Sequence, residues 1–399
     1  MRELHMRRTN RVIPTYTGDV SGACSALYEL GGMVVIHDPS GCNSTYNTHD
    51  ETRWYDQDSL IFITGLVERD AILGNDKKLV RDVVDAAREL RPRFVALCNS
   101  PIPFINGTDF RAICKLVERQ TGIPCFYVRT NGMHDYVKGA GNAFVAFAER
   151  FVQPQSVRAH TVNILGATPL DLGVAGSDKP LRAFCADAGF EVISCWAMGS
   201  TANELACAAA AEVNLVVSST GLAVAQLLHE QFGTPYVVGF PIGSQRKAGG
   251  PSRFAQQLAE TLQAAAQTRE CSWPCRDMRA TSDGTCFAIG EPVLMGSIAS
   301  SMALEGMEAP RVICPLEATG DLLSPGDLMT EGEEDIEAAL TSAKLVVADA
   351  LYQPIVPAGA ALARMGKHGA PLPHQAFSGR NGWKTAIDLT TLDVREIHP

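Results

Sequence analysis

The sequence predicts an α/β protein with mainly parallel sheets, and three observations lead there. Short runs rich in β-branched residues alternate with longer segments of helical period along all 399 residues. Glycine and proline mark most of the joints between them. The length exceeds one ordinary core, so two or three domains are expected. Strand runs linked by helices make βαβ units, whose strands pair in parallel.

In chain order, strands are expected at 33–36, 60–64, 94–97 and 125–128, where apolar runs end in turn residues. Helices are expected between them at 77–90 and 110–120, where apolar residues recur every three or four positions. A second group has strands at 161–165, 191–194, 213–217 and 236–239, with helices at 179–188, 223–231 and 251–267. A third has strands at 286–289, 311–314 and 345–348, with helices at 292–305 and 333–342. The breaks are 151–158, which holds Pro154, Gln155 and Ser156, and 268–283, which is polar and without period. The expected domains are therefore 1–155, 156–275 and 276–399, each a Rossmann-like α/β/α layer. Ligands of such sheets sit outside the carboxyl ends of the strands.

Composition removes several classes of function. A formal charge of −10 argues against nucleic acid as a partner, since phosphate neutralisation needs a basic surface. The most apolar stretch, 206–228, is interrupted by Glu212, Asn214 and the polar residues 218–220, so no membrane span is expected. The first residues carry Arg2, Glu3, Arg7 and Arg8 without an apolar run, which reads as cytoplasmic rather than secreted. Twelve cysteines are too sparse for a disulfide scaffold and read as reduced thiols. There is no phosphate-binding G-x-x-x-x-G-K-[ST] and no G-x-S-x-G elbow, so the chain is not expected to hydrolyse ATP itself.

Three cysteines stand apart. Cys24, Cys42 and Cys98 each lie where a strand-like run meets a glycine- or proline-marked turn in the first domain. They are too widely spaced for a zinc knuckle or a redox pair. They suit soft thiolates delivered by three loops to one buried iron–sulfur centre. Three ligands leave a cubane one short, which points to a subunit interface. Cys114, Cys125, Cys185, Cys207, Cys286 and Cys314 lie in apolar periodic runs and read as packing. Cys271 and Cys275 flank Trp273 and Pro274, and two such ligands leave a metal site incomplete. Among the histidines that could donate protons, His49, His134 and His229 rank below His37 and His374, which border proline-containing loops. Arg380, after Ser378 and Gly379, offers a planar fork for an anionic group.

The run Val35-Ile36-His37-Asp38-Pro39-Ser40-Gly41-Cys42 resembles the strand and His-Gly-Pro-x-Gly-Cys turn of the nitrogenase component 1 family, with Asp38 replacing the usual glycine. The segment from Asp58 through Ile61, Thr64, Gly65, Glu68, Asp70 and Ile72 to Gly74 is similar to the family's segment after its second cluster cysteine. Cys24 and Cys98 stand where its first and third cluster cysteines would be. Residues 191–200, 214–216 and 230–236 resemble its middle domain, and Gly290-Glu291-Pro292 opens a match to its third. In the dinitrogen-reducing subunits a cofactor-binding cysteine succeeds the strand at 213–217, but here Ser218 occupies that place. The histidine expected after Ser378-Gly379 is likewise replaced by Arg380, Asn381 and Gly382.

The resemblance implies a nitrogenase component 1-like fold and a nitrogenase-like oxidoreductase. Cys24, Cys42 and Cys98 would hold a 4Fe–4S or larger, P-cluster-like group at a subunit interface. An ATP-hydrolysing iron–sulfur reductase would deliver low-potential electrons, and the chain would form a homodimer or a heterotetramer with a related component 1 subunit. The departures at Ser218 and Arg380 imply no iron–molybdenum-type cofactor and a small-molecule substrate other than dinitrogen. His37, His374 and Arg380 are the candidates for lining its site. The alternative is a non-catalytic scaffold on which a metallocofactor is assembled.

Overall fold

The computed structural model describes residues 10–12, 16–39, 51–55, 57–173, 175–246, 249–279, 284–364 and 389–397. Three parallel sheets are built from them in chain order. The N-terminal unit comprises α1 (Asp19–Leu27), β1 (Met33–His37), β2 (Leu60–Ile63), α2 (Glu68–Leu73), α3 (Asp76–Leu90), β3 (Val95–Asn99), α4 (Pro101–Ile105), α5 (Phe110–Thr121), β4 (Cys125–Val128) and α6 (Tyr136–Phe151). The middle unit continues with β5 (Thr161–Leu165), α7 (Pro169–Leu172), α8 (Asp178–Asp187), β6 (Glu191–Cys195), α9 (Ala202–Ala206), β7 (Val213–Val216), α10 (Leu222–Phe232), β8 (Tyr236–Val238), α11 (Arg253–Thr268) and α12 (Pro274–Asp277). The C-terminal unit has β9 (Cys286–Ile289), α13 (Pro292–Leu304), β10 (Arg311–Cys314), β11 (Leu328–Met329), α14 (Glu333–Ala339), β12 (Leu345–Ala348) and β13 (Ala361–Arg364).

The first two sheets share one strand order, β2-β1-β3-β4 and β6-β5-β7-β8, and the third runs β11-β10-β9-β12-β13. In each, the chain starts in the interior and turns one way, then the other. The carboxyl ends of β1 and β3, of β5 and β7, and of β9 and β12 therefore flank switch points, where open α/β sheets bind ligands. The units are not separate beads. Residues 389–397 return to the middle unit, where Gly243 and Gln245 donate backbone N–H groups to the carbonyls of Leu389 and Thr390.

The strands lie close to where the sequence places them, except β11 and β13, which it did not anticipate. Two helices it did not anticipate, α1 and α6, pack directly on each other. A Cβ on Gly22 would stand 2.2 Å from the Tyr136 carbonyl oxygen, and one on Gly139 would stand 1.8 Å from that of Asp19. The glycines here are not breaks. They let two helix backbones touch.

This crossing corrects the expectation for Cys24. The residue lies in mid-helix, on an α1 in which every residue is buried, rather than in a turn. Cys98 likewise lies inside β3, one residue before its end. Cys207, expected to pack, is exposed.

Candidate metal centre

Cys98 sits opposite Ile36 in the β1–β3 ladder, with His37 opposite Asn99 as the last pair. The sheet thus carries Cys98 to the first switch point, where the segment bearing Cys42 leaves β1. Helix α1 brings Cys24 over the same place. Both thiols are fully buried, and the neighbouring Cys98 side chain together with burial holds the Cys24 thiol well above its usual range. Ligation would have to expel that proton, because the thiolate is the ligand. Cys42 lies outside the described residues. Among the described residues no group of three His, Cys, Asp or Glu side chains is placed to hold a metal ion. Two converging soft sulfurs are nevertheless the donor chemistry of an iron–sulfur cluster and not of a hard cation.

Beside the cysteine pair lies a constellation that sequence reading missed. Arg53 is 1% exposed. Its Nε and Nη2 donate to the two oxygens of Glu51 at 2.8 and 2.9 Å. Nη2 also donates to the Ser25 carbonyl at 2.8 Å and the Ser25 hydroxyl at 3.1 Å. Nη1 donates to Glu29 at 3.0 Å and to the carbonyl of Ala197, in the middle unit, at 2.7 Å. The guanidinium lies 4.6 Å over the Tyr28 ring. Burial pulls the Glu51 carboxyl upward, but the charge and hydrogen bonds of Arg53 outweigh it and leave the group below the ordinary carboxylate range. Charged residues in a short segment after a turn read as surface; no local pattern marks them as buried.

His37 ends β1, with Nδ1 2.7 Å from the Thr64 hydroxyl and the ring edge-on to Phe110. Burial drives its pKa down to about 4, so it is neutral at pH 7 and a poor acid there. The Ser100 hydroxyl donates to its carbonyl and ties the ends of β1 and β3 together. His374, Arg380 and His49 lie outside the described residues. His134 pairs with Glu317 at 2.8 Å, and His229 packs edge-on to Tyr236. Cys275 is buried in α12, whereas Cys271 is half-buried with its sulfur 3.8 Å from His229.

Where the three units meet, buried polar side chains fill the space. Tyr136 donates to Asp171 at 2.6 Å, and Thr168 donates to its other oxygen at 2.6 Å. Glu291 accepts from the backbone of Ser219 and of Leu294, each at 2.8 Å, so it caps α13 and ties it to the middle unit. Burial raises the Glu291 carboxyl to about 7 and raises Asp171 as well. Ser218 is fully buried, and its hydroxyl lies 2.8 Å from the Gly166 carbonyl and 2.6 Å from Thr220. Open space lies to one side, between the N-terminal and C-terminal units. A cavity of about 300 Å³ there is lined by Tyr16, Asp135, Leu316, Glu317, Glu333 and Tyr352, among others.

Among known proteins, the family model described as nitrogenase component 1 type oxidoreductase matches residues 19–321. The nitrogenase iron–molybdenum cofactor biosynthesis protein NifE of Rhodobacter capsulatus is 27% identical over 249 residues, which are 60% of this chain and 51% of that one. Its counterpart from Bradyrhizobium diazoefficiens is 22% identical over 257 residues, 61% of this chain and 46% of that one. The chain thus spans about half the length of the curated relatives it matches. A solved structure titled nitrogenase Cp1 at pH 6.5 superposes with a TM-score of 0.66 at 15% identity, covering 98% of this chain and 94% of that one. That likeness concerns the fold. Among the described residues no helix is long and apolar enough to cross a membrane.

Proposed function

The chain belongs to the nitrogenase component 1 type oxidoreductases, and from that membership we propose that it is a cluster-bearing scaffold for metallocofactor assembly. Cys24 and Cys98, with Cys42, would hold an iron–sulfur cluster. When bound, such a group accepts and releases single electrons at low potential. The chain's own residues bury the sulfurs of Cys24 and Cys98, and each ligating thiol must lose its proton.

The observation that carries this reading is the junction of the three units. Ser218 stands where the dinitrogen-reducing relatives keep a thiolate, and its hydroxyl is engaged within the protein. The chain therefore offers soft sulfur at the N-terminal switch point and none at Ser218. The relatives named as cofactor biosynthesis proteins support the same reading.

The rim of the switch point supports a partner. Ile72 and Leu73 on α2, and Phe104 and Ile105 on α4, are exposed large apolar side chains. Asn106 ties the two helices by donating to the Ala71 carbonyl. Apolar side chains collected beside a site short of ligands suit a second component 1 subunit, identical or related, or an ATP-dependent reductase.

A second reading, a reductase of a small molecule, is favoured by the cavity between the N-terminal and C-terminal units at the carboxyl ends of β10 and β12. One experiment separates the two. Protein loaded anaerobically with iron-57 is mixed with a cofactor-free nitrogenase component 1, a reductase and ATP. Scaffolding predicts label transferred to the acceptor and, in a parallel mixture without the acceptor, electron uptake that stops once the bound cluster is reduced. Label that stays on the chain, with dithionite consumed continuously, would favour the reductase.

A further inference from the structure

Ala197 is buried yet has φ of 92°, a conformation that non-glycine residues seldom adopt and that persists only where its surroundings impose it. It lies in the turn after β6 of the middle unit. Its carbonyl accepts from Arg53 at 2.7 Å. Two residues on, the Gly199 N–H donates to Glu29 at 2.7 Å, and the other oxygen of Glu29 accepts from Arg53. The strained turn is therefore gripped from the N-terminal unit at two points. On its far side the Trp196 carbonyl accepts from the Ala167 N–H at 3.0 Å. Residue 167 comes directly after Gly166, the partner of Ser218.

We propose that Arg53 is a positioning residue that holds the α1 turn bearing Cys24 and the strained Ala197 turn in one register. Metal occupancy at the cysteines is thereby coupled to the state of the middle unit. This rests on reading Cys24 and Cys98 as cluster ligands. The geometry is specific to arginine. Six acceptor contacts diverge from one planar fork toward Glu51, Ser25, Glu29 and Ala197. A lysine ammonium has three donors on one atom and cannot span two turns of different units. A buried arginine could serve general stability alone. The coupling sets this one apart: its acceptors lie next to a candidate ligand on one side and on a strained backbone on the other.

The test uses Arg53→Lys in the full chain. Metal-free protein is treated with iodoacetamide, and labelling is mapped by peptide mass spectrometry at Cys24, Cys98 and Cys185. Amide hydrogen exchange is tracked at 196–199. The variant is expected to label at Cys24 and Cys98 at least ten-fold faster, with Cys185, buried in the middle unit, unchanged. Exchange at 196–199 should rise at least ten-fold, and iron bound after anaerobic reconstitution should fall several-fold. In the wild type, iron loading should slow exchange at 196–199. If Arg53→Lys fails to fold, Glu29→Gln keeps the Arg53–Glu51 pair and should raise exchange at 196–199 alone. The inference is overturned if thiol labelling and exchange stay at wild-type rates, or if Cys185 opens as much as Cys24. If instead Cys24→Ala keeps its full iron, the ligand assignment fails while the thiol and exchange readouts still decide the positioning role.

Discussion

Burial works against the charge on Glu291 while two backbone N–H donors work for it. Burial prevails and lifts the carboxyl to about 7 from an ordinary 4.5. Below about 4.5 the group is protonated in both the folded and unfolded chain, and its contribution is fully favourable. As pH rises toward 7 the unfolded chain ionises freely and the folded one does not, so stability is lost through that window. At about 1.4 kcal/mol per unit, the loss amounts to a few kcal/mol. Urea unfolding at several pH values should show a steeper slope in the wild type than in Glu291→Gln, which cannot ionise and keeps only the part that comes from Asp171 and other buried carboxyls. Equal slopes in the two proteins would contradict the assignment. Arg53 and Glu51 illustrate the opposite outcome at the same burial, because each is the other's counter-ion. Breaking such a pair leaves an uncompensated buried charge.

At the scale of elements, the crossing of α1 on α6 fixes the candidate site. An exposed glycine in mid-helix would be improved by alanine, by about 1 kcal/mol. At Gly139 the added Cβ would meet the Asp19 carbonyl oxygen at 1.8 Å, so Gly139→Ala should instead lose about 3 kcal/mol or more in a denaturant titration. A gain in stability would show that the helices do not touch there. These glycines also explain what the sequence concealed. Apolar periodicity with clean ends made α3, α5, α8, α10 and α11 legible. In α1 and α6, Gly22, Gly139 and Gly141 interrupt the pattern in the way a loop does, and only the tertiary contact shows why they are needed. The same confusion made Cys24 look like a turn residue. Its identity as a candidate was legible, but its element was not.

At the scale of the molecule, side chains distant in sequence converge where the three units meet. Tyr136, Asp171, Ser218 and Glu291 come from three units, and nothing local announces their meeting. Cys98 and the motif ending at Cys42 were legible because each marks a strand end, where chemistry collects in such folds. The convergence of Cys24 on Cys98 was expected from the sequence, but the helix that carries Cys24 there needed the fold. The central claim is that Cys24, Cys42 and Cys98 together hold an iron–sulfur cluster. The most direct measurement is iron and acid-labile sulfide per chain in anaerobically purified wild type and in Cys24→Ala, Cys42→Ala and Cys98→Ala. The account predicts bound iron and sulfide in the wild type and loss of most of both in every variant. Wild-type protein free of iron, or full iron retained without Cys42, would contradict it.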